Sequence, residues 1–243
     1  MRLLLALALA IGGVACTREV TIPENLDHAN WEVINYGQVE DLPGSVALLE
    51  SVFWEPRDTT SLRKLMRETP LLEDKSVLEI GTGSGLLSLC SLRYGAAKVI
   101  ATDVNPAAVA NARYNADRMG LAERLEVRRV LLTDRGAYTV IKDGETFDVI
   151  ISNPPWVDQR PAAIDEFALY DEDFYLIRSM LEGFDEHLNP GGVGLLAYGS
   201  VSGIRAVLRI AAEVNLKTRI LDERDLDDLQ EEFLPGMLIE VTR

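Results

Sequence analysis

The 243-residue chain is poor in the side chains that most often build metal or nucleophilic centres. It has two cysteines, Cys16 and Cys90, and two histidines, His28 and His187. Two isolated thiols provide no disulfide framework, and no Cys/His/Asp cluster nominates a metal site. Cys90 lies in an apolar helical stretch and reads as a small core residue, His28 as a linker residue, and His187 as a helix-end residue rather than a base. Positive charge is also scarce, with 24 Lys+Arg against 39 Asp+Glu and a net charge of -15. Such a chain repels a polyanion unless a local basic face compensates. The densest basic group, Arg124, Arg128 and Arg129, is interrupted by Glu123 and Glu126, which makes a mixed solvated surface. Nucleic acid is therefore disfavoured as a partner. Internal repeats and low-complexity segments are absent.

Long apolar runs are confined to the beginning of the chain. Residues 1–16 carry one early charge, Arg2, then apolar or small residues up to Cys16. The run is too short to span a bilayer and reads as a secretory signal of lipoprotein type or a short anchor. Gly13-Val14-Ala15-Cys16 is similar to a bacterial lipobox, with Gly13 where leucine is usual. Membrane attachment through Cys16 is thus one expectation; a wrongly assigned start is the other. Residues 17–44, with Pro23 and Pro43, read as a polar linker or N-terminal extension, and residues 45–243 as one domain. With 47% hydrophobic residues, a domain of this length can bury a full core.

Within that domain, strand-like and helix-like patterns alternate. Apolar strands are expected at residues 76–80, 98–102, 125–130, 147–152, 193–198, 216–221 and 237–242. Helices are expected at residues 59–69, 84–93, 106–119, 173–188 and 202–214, and residues 45–53 have a spacing that suits a further helix. Alternation of this kind implies a mainly parallel sheet with helices on both faces. The chain is organised around Ser76-Val-Leu-Glu79-Ile-Gly81-Thr82-Gly83-Ser-Gly85, an apolar strand that runs into three glycines at every second position. Glycine lets the chain turn sharply and leaves no Cβ between backbone and ligand. A dinucleotide fingerprint would place its third glycine where Leu86 stands, so the spacing leans away from NAD. Glu79 ahead of the turn suits a cationic ligand. Asp103 ends the next strand about 20 residues on, where a carboxylate can accept both hydroxyls of a ribose.

At the end of the 147–152 strand stands Asn153-Pro154-Pro155-Trp156. An amide or exocyclic amine has its lone pair delocalised and must be aligned before it attacks. The Asn153 side-chain oxygen and the Pro154 carbonyl could each accept one N–H, two prolines would hold that carbonyl in place, and Trp156 could stack on a planar acceptor.

The Glu79-x-Gly81-x-Gly83-x-Gly85 turn, the acidic end of the second strand and the Asn-Pro-Pro-Trp segment together resemble class I S-adenosylmethionine-dependent methyltransferases. The resemblance is sharpest to the release-factor glutamine N5-methyltransferases. It implies a Rossmann-like seven-stranded, mostly parallel sheet. It also implies S-adenosyl-L-methionine as cofactor, held by Glu79, Gly81, Thr82, Gly83, Gly85, Asp103 and Asp134, the last at the adenine amino group, although Asp134-Arg135-Gly136 equally suits a surface turn. Asn153, Pro154, Pro155 and Trp156 become the catalytic set. Pro56-Arg57-Asp58-Thr59 is similar to a segment that precedes the first motif in that family, with Arg57 either lining the pocket or pairing with a surface acid. The implied activity is methylation of a planar nitrogen, with a protein glutamine or other protein amide as acceptor. N6-adenine methylation and a membrane-tethered, non-catalytic binding module are the alternatives. Donor supply argues for cytoplasmic catalysis, against the lipoprotein-like beginning. Two acidic stretches, residues 165–173 and 222–232, read as solvated segments or, for the first, a substrate rim.

Overall fold

The computed structural model describes Leu26 and residues 28–243. The signal, anchor and lipobox expectations for residues 1–16 lie outside the described residues, as does most of 17–27. Among the described residues no helix is long and apolar enough to cross a membrane.

In chain order the elements are β1 (Val33–Gly37), β2 (Val46–Leu49), α1 (Thr60–Glu68), β3 (Ser76–Ile80), α2 (Leu86–Arg93), β4 (Lys98–Asp103), α3 (Pro106–Arg118), β5 (Leu125–Arg129), β6 (Phe147–Ser152), α4 (Tyr175–Glu182), α5 (Phe184–His187), β7 (Leu188–Ser200), α6 (Val201–Glu213), β8 (Lys217–Ile220) and β9 (Glu232–Thr242). Seven strands form one sheet in the order β5-β4-β3-β6-β7-β9-β8. Neighbours from β5 to β7 are parallel, and β9 pairs antiparallel with both β7 and β8. The expected Rossmann-like sheet is therefore present, with β9 as the reversed strand.

Each central strand is buried on both faces, which is why its sequence is a continuous apolar run rather than an alternating one. On one face Leu78, Ile80, Ile100 and Ile150 pack against Ile177 and Met180 of α4, Phe184 of α5 and Ile204 and Val207 of α6. On the other, Val77, Val99, Val149 and Ile151 meet Leu62 and Met66 of α1 and Leu89 and Leu92 of α2. Ala101 and Val127 meet Val109 and Ala112 of α3. β3 pairs with β4 on one side and β6 on the other, so the chain reverses its direction of travel across the sheet at β3. A crevice opens beyond the carboxyl ends of strands at such a reversal, the usual ligand position in this architecture.

Three local expectations need correction. Residues 45–53 form no helix: Val46–Leu49 is a strand, wholly buried, paired antiparallel with β1 inside the segment expected to be irregular. The cause is tertiary. Ala47 and Leu49 donate their N–H groups to the side-chain oxygens of Asn115 and Asn111 at 2.8 and 2.9 Å, and both asparagines donate back to the Ala47 carbonyl. An extended backbone satisfied by α3 outcompetes a helix pattern only nine residues long. The expected helix over residues 173–188 is divided at Gly183, where the Tyr138 ring occupies the space a Cβ would need, 2.3 Å away. Finally, the strand expected at residues 193–198 begins earlier, at Leu188, so that Asn189-Pro190-Gly191-Gly192 lies inside β7, where the register against β6 shifts between Phe147 and Val149.

Candidate active site

The crevice is bounded by the turn after β3, the ends of β4 and β6, and a loop running into α4. After Ile80 the chain passes through Gly81, Gly83 and Gly85 at φ of 77°, 53° and 86°, a region that L side chains rarely adopt. The three glycines serve different purposes. A Cβ on Gly81 or Gly83 would meet no described atom within 4 Å, so these two leave backbone open to the crevice, whereas one on Gly85 would lie 3.0 Å from the Ala112 Cα. Gly85 thus permits close approach of α2 and α3 and does not itself line the crevice. Gly81 and Thr82 donate to the Thr102 carbonyl at 2.9 and 3.0 Å, which pins the turn against β4.

Glu79 is 1% exposed and lies on the crevice wall. Its carboxyl accepts from the Thr82 hydroxyl at 2.7 Å and from the Ser88 hydroxyl. Burial pushes its pKa up to about 7, against the pull of those two hydroxyls. Asp103 accepts from Gly83 N–H through Oδ2 and from Asn105 N–H through Oδ1, each at 2.8 Å. Burial raises its pKa as well, opposed by the same backbone donors.

At the end of β6, Ser152 donates to the Ile80 carbonyl at 2.7 Å and so locks the two strand ends together. Asn153, Pro154 and Pro155 then line the crevice. Asn153 Nδ2 donates to Asp58 Oδ2 at 3.4 Å, while its Oδ1 is buried without a hydrogen-bond partner among the described residues.

Two further expected site residues stand elsewhere. Trp156 does not line the crevice; its ring packs on β7, where a Cβ on Gly199 would come within 2.6 Å of it, and it joins the core beneath α4 and α6. The absence of a side chain at Gly199 draws the indole inward, so a stacking role on an acceptor is not supported. Asp134 is exposed and off the crevice, in a turn closed by its N–H to the Leu131 carbonyl at 3.0 Å; Arg135, Gly136 and Ala137 reach the wall instead. Arg57 also resolves to the surface alternative, held by Glu55 at 2.6 and 2.8 Å.

The loop after β6 forms the outer wall. Phe167, Tyr170 and Tyr175 line it with Asp165 and Glu172, and the Arg135 guanidinium lies over the Phe167 and Tyr175 rings at 5.8 and 5.5 Å. The acidic stretch is therefore a rim of the crevice and not only a solvated helix start. Sequence reasoning missed Asp171, which accepts from Leu176 and Ile177 N–H and caps α4, and the positional importance of Asp58. It also missed Asn105, whose Nδ2 donates to the Ser51 carbonyl at 2.9 Å and ties the β1–β2 hairpin to the site. Asn105 immediately before Pro106 is a helix-start signal that marks the position, though not the contact.

Among known proteins, release factor glutamine methyltransferase of Cereibacter sphaeroides is 33% identical to this chain over 248 residues, covering 93% of the chain and 86% of the relative. The chain belongs to the class I S-adenosylmethionine-dependent methyltransferases. Its cofactor is S-adenosylmethionine. The sequence profile of the ribosomal protein L11 methyltransferase (PrmA) family matches this methyltransferase over residues 57–154, from the turn before α1 to the second residue of the Asn-Pro-Pro-Trp segment. The tRNA1(Val) (adenine(37)-N6)-methyltransferase of Shewanella halifaxensis is 32% identical over 57% of each chain. Among solved structures, the Thermus thermophilus 16S rRNA N2 G1207 methyltransferase (RsmC) with AdoMet and guanosine superposes with a TM-score of 0.60 at 19% identity, over 88% of this chain and 51% of that one. The ribosomal protein L11 methylase of Lactobacillus delbrueckii gives 0.58 at 19% identity, over 82% and 84%. These two show the shared fold. The named acceptors of the relatives include both protein and RNA.

Proposed function

We propose that this methyltransferase methylates a planar nitrogen and that its acceptor is the side-chain amide of a protein glutamine. The observation that carries the reading is Asn153 Oδ1, a buried acceptor at the wall of the crevice without a partner among the described residues. Leaving such an atom unsatisfied costs about 1–3 kcal/mol, which an incoming N–H would recover. The Pro154 carbonyl follows on a backbone restricted by two buried prolines, so the pair can receive the two N–H groups of one amide in its plane. The alignment of the relative named for release-factor glutamine over 93% of the chain supports the same acceptor class.

The residues present fit the cofactor. Asp103 offers remaining carboxylate lone pairs to the ribose hydroxyls, the open backbone at Gly81 and Gly83 accommodates close approach, and Glu79 stands where positive charge is favoured. Arg135, Gly136 and Ala137 take over the base-facing wall assigned from sequence to Asp134. When bound, the cofactor supplies an electrophilic methyl group on a sulfonium. Asn153 orients the acceptor nitrogen, and the crevice walls exclude water from it. Transfer of that methyl would break its bond to sulfur and leave a neutral thioether, and the methylated nitrogen would lose one proton to solvent.

The Shewanella relative favours a second reading, N6-adenine methylation, because an exocyclic amine offers the same two N–H groups. The net charge of -15 and the acidic residues Asp165 and Glu172 at the rim weigh against a polyanionic acceptor. Labelled cofactor, incubated with purified protein and either glutamine-containing protein acceptors or adenine-containing RNA, separates the two. Methylglutamine detected by mass spectrometry is the expected product; label found only in RNA would overturn the assignment.

A further inference from the structure

Asp58 lies in the 3-10 turn Pro56–Thr59 and is 3% exposed. Among the described residues, its carboxylate accepts a hydrogen bond from Asn153 Nδ2 across 95 residues of sequence, and no cation neutralises it. Arg57 on the same turn is occupied by Glu55, and Arg63 of α1 is committed to Asp41 and the Pro56 carbonyl. On the far side, Gly236 of β9 packs on the Asp58 carbonyl, where a Cβ would stand 2.4 Å away, with Tyr198 of β7 beside it; neither is charged at neutral pH. A buried acid with one amide donor is a costly arrangement unless the contact serves a purpose.

We propose that Asp58 is a positioning residue, which by holding Asn153 Nδ2 keeps Asn153 Oδ1 turned toward the acceptor nitrogen. The proposal rests on the role given to Asn153 above. A side-chain amide is two-ended: rotated by half a turn it presents N–H to an incoming N–H, donor against donor. An ionised carboxylate only accepts, so it admits one orientation of the amide. A protonated one can donate to Oδ1 and favour the reversed orientation. Burial pushes the Asp58 pKa up to about 7; the Asn153 hydrogen bond opposes this, the Glu55 charge adds to it and Arg57 lowers it. Turnover then rises with pH through neutrality, as Asp58 ionises.

The test measures kcat, acceptor KM, affinity for S-adenosylhomocysteine and Tm across pH for the parent, Asp58→Asn and Asn153→Ala, and kcat for the double variant. Asp58→Asn is nearly isosteric and removes a buried charge, so it should fold and melt higher than the parent above neutral pH. Its kcat should nevertheless fall about 10-fold or more from misaligned geometry, with cofactor affinity unchanged. The acid limb of the parent kcat profile should vanish, and the double variant should be no slower than Asn153→Ala alone. A merely structural Asp58 would move Tm without the limb. Parental kcat in Asp58→Asn, or a parent without an acid limb, overturns the proposal while a slow Asn153→Ala leaves the role of Asn153 standing. An Asn153→Ala variant at the parental rate removes both.

Discussion

Replacing Asp103 with alanine probes the cofactor site where sequence and geometry meet most closely. Each carboxylate oxygen already accepts one backbone N–H at 2.8 Å, from Gly83 and from Asn105, so the side chain both holds the glycine turn and has lone pairs left for two hydroxyls. Charge-assisted hydrogen bonds contribute about 1.5–3 kcal/mol each, and two sharing one carboxylate add incompletely, so roughly 2–4 kcal/mol of affinity depends on this group. That corresponds to about 30- to 1000-fold weaker binding of S-adenosylhomocysteine, readable by titration calorimetry. Asp103→Asn keeps one acceptor oxygen and should fall between parent and alanine. The raised pKa of Asp103 sets a pH sign: protonation replaces an acceptor with a donor, so affinity should decline as pH falls through that raised value. Stability moves the other way. An acid whose folded pKa is raised stabilises the fold while protonated and loses that contribution as pH rises, so alanine removes a charge cost and also orphans two N–H groups at the turn. Unchanged cofactor affinity in a variant that melts like the parent would refute the ribose assignment.

Glu79 follows the same linkage: its folded pKa of about 7 exceeds the ordinary 4.5, so stability should fall by up to about 3 kcal/mol as pH rises between those values. Glu79→Gln should flatten that slope in thermal melts; an unchanged slope would place the titration elsewhere. Gly85→Ala meets both a φ of 86° and the Ala112 Cα at 3.0 Å, and should cost about 2–4 kcal/mol in denaturant unfolding, whereas a neutral result would mean that α2 and α3 can part freely. Gly199→Ala should cost about 1–3 kcal/mol because its Cβ enters the Trp156 ring. Trp156→Phe should retain turnover per folded molecule, and a large loss of kcat there would return Trp156 to the acceptor site.

The parts of the fold that were legible from the chain are those written in neighbouring residues. β6 has the expected bounds, Phe147–Ser152, because an apolar run meets Asn-Pro-Pro at its end. β3 and the turn after it were equally plain, since an apolar strand followed by glycines at alternate positions permits few other conformations. The bounds of α3 follow from Asn105-Pro106 at its start and Gly120 after its end. The β1–β2 hairpin was illegible because what holds it extended is a pair of asparagines 62 and 68 residues away.

The amino-acid sequence by itself determined the sheet, the glycine turn, Asp103 and the Asn-Pro-Pro segment, and with them the class of chemistry. Only the tertiary structure decided how side chains from distant strands share that crevice. It sent Trp156 into the space left by Gly199, put Arg135 and its neighbours rather than Asp134 on the crevice wall, and set Asp58 against Asn153. The reason is physical: strand and turn conformations follow from steric limits within a few residues, whereas the direction of a side chain at a strand end is set by whichever cavity or hydrogen-bond partner the packed core provides.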